Sequence, residues 1–143
     1  LPIPTASHSL RLSMGLEDAL AKLSELGRQP LPIIAAAWHA GELFIRLEGG
    51  ESSVKATRER LGGDALSADF WQQLRDLQHA FFNLAEGQAL WRLSLPPHTP
   101  PLALAVDESD IFYDWGGSQR WVKTPLPAQT LRDACQQAGG HAT

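Results

Sequence analysis

Apolar residues recur at Leu16, Ala19, Leu20, Leu23 and Leu26, the i, i+3, i+4, i+7 spacing that lays one stripe along an α-helix. Glu17 and Asp18 stand where the helix dipole favours anions, and Gly27, Arg28 and Pro30 punctuate the end. Ahead of this helix, residues 1–9 carry two prolines and three hydroxyl residues and read as an extended linker into a short strand over residues 10–14. Residues 32–38 and 43–47 are apolar runs of strand length on either side of His39-Ala-Gly-Glu42, the spacing of a hairpin that Gly49-Gly50 closes. A second helix is expected from Ser52 or Ser53 to Leu61, ended by Gly62-Gly63. Ser67 suits the cap of a longer third helix with Phe70, Leu74, Leu77 and Phe81 on one face and Trp71 beside them, leaving Arg75, Asp76 and Gln78 to water.

Farther on, Trp91, Leu93 and Leu95 alternate with Arg92 and Ser94, which predicts a half-buried strand over residues 89–95. Pro96, Pro97, Pro100 and Pro101 stiffen the loop after it. Residues 111–115 and 118–123 flank Gly116-Gly117, which can take the positive φ of a tight hairpin turn. Pro127 suits the first turn of a last helix with Leu131, Ala134, Cys135 and Ala138 on its buried stripe. The fold class is therefore α+β, an antiparallel sheet with helices on one face. Residues 10–95 match the split β-α-β-β-α-β pattern of a ferredoxin-like half. The remainder reads as a reduced copy, with strand 89–95, the proline loop in place of its first helix, hairpin 110–123, helix 127–138 and a final strand expected beyond Thr143. The Leu-Pro-Ile-Pro opening and the Gly-Gly-His-Ala-Thr close both suggest a chain truncated at each end.

Charge and composition narrow the function. With 12 Lys and Arg against 16 Asp and Glu, the net charge of −4 argues against binding a phosphate backbone, so no nucleic-acid partner is expected. The uncharged run over residues 31–38 is far short of the roughly 20 residues a membrane helix needs. The lone Cys135 sits on an apolar stripe, where packing explains it, and one cysteine fits a reducing compartment. Eight of the 12 glycines form Gly-Gly pairs, none in a G-x-G-x-x-G or G-x-x-x-x-G-K-[ST] frame that would cradle phosphates. Histidines 8, 39, 79, 98 and 141 show no ligand spacing, so no metal site is expected, and His39 and His79 read as surface or capping residues. Ser118 belongs to a hairpin and not to a nucleophile elbow.

What remains is a tryptophan and arginine cluster, Trp91-Arg92, Trp115 and Arg120-Trp121. In one reading the tryptophans fill the core face while the arginines project into solvent. In the other, the sheet face covers an active site belonging to another domain, where guanidinium forks hold a carboxylate and indole walls exclude water. Arg92 and Arg120 each alternate with apolar neighbours, and on adjacent strands the two cations are expected to share a face.

Leu90-Trp-Arg-Leu-Ser-Leu-Pro96, Asp114-Trp-Gly-Gly-Ser-Gln-Arg-Trp121 and Ala138-Gly-Gly-His-Ala-Thr143 resemble, in order and spacing, three motifs of the FAD-binding subunits of glycolate oxidases. Leu10-Arg-Leu-Ser-Met-Gly-Leu16 and residues 38–50 resemble the entry into the C-terminal half of that family and the strand pair after it. Those subunits are FAD-linked oxidases of the vanillyl-alcohol oxidase type, in which an N-terminal half binds flavin and a C-terminal half caps the substrate side. The resemblance implies that residues 10–143 are the cap, with 1–9 as linker. It implies FAD held mainly by the half this chain does not contain, so that the chain alone is expected to bind none. The implied partners are that flavin-binding half, a second flavoprotein subunit and an iron–sulfur subunit. The implied location is cytoplasmic, peripheral to the inner membrane through those subunits, and the implied reaction is oxidation of glycolate to glyoxylate. Arg92, Trp115, Arg120, Trp121 and His141 are then the candidates for facing flavin or substrate, with no catalytic base assigned. The competing reading is a free-standing ferredoxin-like module that binds a ligand or dimerises without catalysis, and an exposed apolar patch on an isolated cap would itself favour self-association.

Overall fold

The computed structural model describes residues 5–114 and 118–143, and every structural statement below refers to them. Trp115 and the expected Gly116-Gly117 turn lie outside the described residues.

Strand β1 (Thr5–Ser13) leads to helix α1 (Leu16–Leu26), the hairpin β2 (Ile33–His39) and β3 (Glu42–Gly50), helix α2 (Glu51–Leu61) and a two-residue strand β4 (Asp64–Ala65). Helix α3 (Asp69–Arg75) and a 3-10 turn at Ala80–Phe82 precede β5 (Ala89–Ser94). A second 3-10 turn at Glu108–Asp110 enters β6 (Ile111–Asp114), followed by β7 (Gln119–Thr124), helix α4 (Ala128–Gln137) and β8 (His141–Ala142). The strands form one sheet in the order β4-β1-β3-β2-β6-β7-β5-β8, antiparallel at every step. The two hairpins pair with each other at the centre, and each half ends on a two-residue strand.

Helices α1 and α2 and, farther along, α4 cover one face. Leu10, Trp38, Leu43, Ile45 and Leu47 pack there against Leu16, Ala19, Leu26 and Val54. The register Trp38, Tyr113, Arg120, Leu93, Ala142 runs across the sheet on this same face, since directly opposed residues of antiparallel strands point the same way. Leu93, Val122 and Ala142 meet Leu131 and Cys135 of α4, and Leu102, Leu104 and Val106 of the proline loop pack onto them. The other face carries Ala37, Phe44 and Phe112 under Phe70, Trp71, Leu74 and Phe81. Helix α3 and the first 3-10 turn thus add a partial third layer to the one-sided sheet that the sequence pattern predicts.

Four expectations need correction. Residues 5–9 of the expected linker belong to β1, which pairs with β3 from Thr5↔Gly50 to Ser13↔Glu42, because the hydroxyl residues supply backbone pairing whatever their side chains prefer. The third helix stops at Arg75, since Leu77 takes the left-handed φ of 56°; Phe81 reaches the same cluster from a 3-10 turn whose start is capped by His79 Nδ1. Strand β5 does not close the first half: β4 takes that edge beside β1, and β5 lies between β7 and β8. A short strand also forms before Thr143, where β8 pairs with Leu93 and Ser94. Gly140 permits this approach, for a Cβ there would stand 2.0 Å from the Ser94 carbonyl oxygen.

Candidate functional site

The first-half face left open by α3 runs into the uncovered strands β7, β5 and β8, and a groove of about 520 Å³ forms at the junction. Arg46 of β3, Arg75 of α3 and Arg92 of β5 line it, with Trp71 and Trp121 as flat apolar walls and Asp114 as its one carboxylate. Arg46 is placed there by the period of two along β3, which puts Phe44 and Arg46 on one face and Ile45 and Leu47 on the other. Trp71 is fixed by its indole Nε1, which donates to Ser9 Oγ at 2.9 Å. Trp121 meets Phe82 edge-on at 5.4 Å. Among the described residues, the ion pairs Arg11–Glu42 (3.3 Å) and Lys123–Asp110 (3.8 Å) lie elsewhere, and no hydrogen bond or ion pair engages the guanidinium groups of Arg46, Arg75 or Arg92. In a chain of net charge −4, unpaired guanidinium groups gathered on one groove favour an anionic ligand. Ile34 and Leu77 also line the groove and are 42% and 41% exposed, so apolar surface borders the cations.

Of the residues singled out in the sequence, Arg92 and Trp121 stand directly opposite each other and line this groove. His141, opposed to Ser94 on the edge strand and exposed, shares their face by the alternation of the pleat. Trp115 falls outside the described residues. Arg120 does not join them: it opposes Leu93, one residue out of phase with Arg92, and so points to the helix-covered face. There it is 2% exposed and donates from Nη1 to the Pro100 carbonyl at 2.9 Å and from Nη2 to the Thr99 carbonyl, with its Cζ 5.0 Å from the centre of the Tyr113 ring. Burial lowers its pKa, an effect opposed by Tyr113 and then Cys135. Burial likewise raises the pKa of Tyr113 and of Cys135, with Arg120 pulling both the other way. The shared face expected for the two arginines is thus overturned by register, and Arg120 is a clamp on the proline loop.

Sequence reasoning missed Arg46 and Arg75. Arg75 has the signature of an ordinary solvated helix position, whereas the parity of Arg46 with Phe44 carried a usable signal. His39 stacks on Phe112 (5.0 Å, 12°) with Nε2 2.8 Å from the Ser109 carbonyl, and His79 has its pKa lowered first by burial and then by His39. Among the described residues no three His, Cys, Asp or Glu gather to hold a metal. A carboxylate, or the flat ring of a flavin, fits the groove's guanidinium forks and indole walls. The phosphates of a dinucleotide find no glycine frame in the sequence to cradle them.

No family profile matches the chain, and no solved structure does. A curated protein does: glycolate oxidase subunit GlcE of Escherichia coli (strain K12), 45% identical over 143 residues, which is 100% of this chain and 39% of the relative. The chain is therefore similar from end to end to a glycolate oxidase subunit, of which it spans about two fifths.

Proposed function

We propose that this chain is the cap of an FAD-linked glycolate oxidase subunit, with its open sheet face turned toward flavin and substrate. The observation that carries the reading is the 45% identity to GlcE over all 143 residues of the chain. The groove supports it, because unpaired Arg46, Arg75 and Arg92 beside Trp71 and Trp121 suit an α-hydroxy acid whose carboxylate must be held and whose surroundings must be dry. The exposed Ile34 and Leu77 at its border suit a face covered by a further domain. The strand order, with its two hairpins back to back and a two-residue strand at each end, supports a full ferredoxin-like copy followed by a reduced one.

In this reading residues 10–143 act as the cap, and a flavin-binding half, a second flavoprotein subunit and an iron–sulfur subunit complete the enzyme. Glycolate loses two electrons and two protons to become glyoxylate, and bound FAD supplies the acceptor for the hydride. The chain's own part is to fix the carboxylate through Arg92, with Arg46 and Arg75 adding positive potential, while Trp121 and Trp71 exclude water and His141 faces flavin or substrate from the same side of the sheet. Arg120 contributes from the opposite face by holding the proline loop. No helix among the described residues is long and apolar enough to cross a membrane. In this reading the enzyme is cytoplasmic and sits at the inner membrane through the partner subunits.

The test replaces the matching stretch of E. coli GlcE with this chain and measures glycolate-dependent reduction of a dye by the assembled enzyme. The chimera is expected to be active. Arg92→Lys keeps the charge but loses the fork, and at about 1.5–3 kcal/mol for a charged hydrogen bond the activity should fall roughly 10- to 100-fold. An assembled but inactive chimera, or full activity in Arg92→Lys, would refute the reading.

A further inference from the structure

On the helix-covered face a second groove, of about 780 Å³, runs between α1 and the proline loop. One wall is Leu16, Leu20 and Leu23, a row at i, i+4, i+7 along α1, and the other is Pro97, Pro100 and Pro101. Helix α1 buries Leu16, Ala19 and Leu26 in the core, while Leu20 and Leu23 touch that core from its edge, stay half-buried and turn their remaining surface to the groove. The position of the groove follows from the architecture. In the first half the connection from β1 to β2 is a helix; in the second half the corresponding connection, from β5 to β6, has no α-helix, and residues 95–110 cross as a proline loop and a 3-10 turn. The layer of helices over the sheet is one member short, and the groove lies along the edge of α1 that faces this gap. Two carboxylates, Glu17 and Glu108, line it beside the imidazole of His98, with no Lys or Arg among the lining residues. Glu17 lies in the first turn of α1.

We infer that this groove is a docking surface for an amphipathic helix of a partner protein, one whose apolar stripe completes the α1 ridge and whose flanks carry Lys or Arg to meet Glu17 and Glu108. An apolar row along one helix accepts the row of a second helix laid beside it, and the two carboxylates set the sign of its edges. The face is opposite the arginine groove, so the inference stands independently of the catalytic reading. Arg120 belongs to it as a positioning residue, because its bonds to the Thr99 and Pro100 carbonyls set the proline wall.

The experiment uses the 143-residue chain and two synthetic helical peptides with the same leucine stripe, one flanked by lysines and the other by glutamates. Titration followed by amide NMR is expected to show binding of the lysine-flanked peptide only, with shifts confined to α1 and residues 97–101 and an affinity that falls with salt. Ala21 is exposed and lines the groove, so Ala21→Arg obstructs it and repels basic flanks without touching the core; binding should be lost with the fold intact by circular dichroism. Glu17→Gln with Glu108→Gln should weaken binding about tenfold. The inference is overturned if neither peptide binds, if both bind equally, if Ala21→Arg binds as the parent does, or if a small apolar dye fills the groove where the lysine peptide does not.

Discussion

Arg120→Ala removes a buried guanidinium that holds two carbonyls of a loop lacking a helix or strand of its own over residues 96–107. Each charge-assisted bond contributes about 1.5–3 kcal/mol net, and the contact with Tyr113 adds roughly 0.5–2 kcal/mol. Against these stands the cost of burying the charge, visible in the lowered pKa of Arg120. The difference should be about 3–5 kcal/mol, the usual loss when one partner of a buried charged contact is deleted. At about 2–4 °C per kcal/mol for a chain of this size, the melting temperature should fall by roughly 10 °C. Arg120→Lys keeps the charge on a single nitrogen in place of the fork and should lose about half as much. Chemical denaturation gives the free energies, and amide exchange at Thr99, Leu104 and Val106, whose N–H groups bond within the loop, locates the loss. Arg120→Ala with parental stability and unchanged loop protection would show that the loop is held by Leu102, Leu104 and Val106 alone, and the clamp argument would fall.

His79 has a folded-state pKa below its ordinary value, so the unfolded chain binds its proton first; its contribution to stability is complete above about pH 6.5 and declines as the pH falls. His8 is shifted in the same direction by burial and Arg58, so the comparison is between the parent and His79→Gln, in which the loss of stability between pH 7 and 5 should be smaller. Cys135, fully buried with its thiol pKa raised, should react with a thiol reagent only as fast as the chain opens, so labelling that stays rapid under native conditions would contradict the packing described. Gly140→Ala drives a Cβ into the Ser94 carbonyl and should detach β8 from β5, read as lost exchange protection at Arg92 and Thr143, whose backbones exchange hydrogen bonds at 2.8 and 2.9 Å.

Elements with strong local signals are legible in the chain itself. Helix α1 follows from its leucine stripe, the first hairpin from two apolar runs around Ala40-Gly41, and α4 from Leu131 and Cys135. What is illegible is long-range parity. Nothing near Arg120 says that it opposes Leu93 and not Arg92, yet that single step sends one arginine to the groove and the other into the core. The early end of α3 is equally hidden, since Leu77 keeps the apolar spacing while its backbone turns left-handed. Arg46 and Arg75 become site residues only because β3 and α3 converge on strands more than forty residues later in the chain than Arg46.

The back-to-back hairpins have a mechanical consequence. Between described residues, the halves are joined at the centre by the pairs Ala37↔Asp114 and Trp38↔Tyr113. Rings stiffen this narrow seam from both sides: Trp38 meets Tyr113 edge-on at 6.0 Å on one face, and Phe44 and His39 stack on Phe112 at 6.4 and 5.0 Å on the other. The arginine groove straddles it, with Arg46 before the seam and Arg92 and Trp121 beyond it. The spacing of the guanidinium groups therefore depends on the angle between the halves, and the rings at Phe112 and Tyr113 hold that angle without lining the groove.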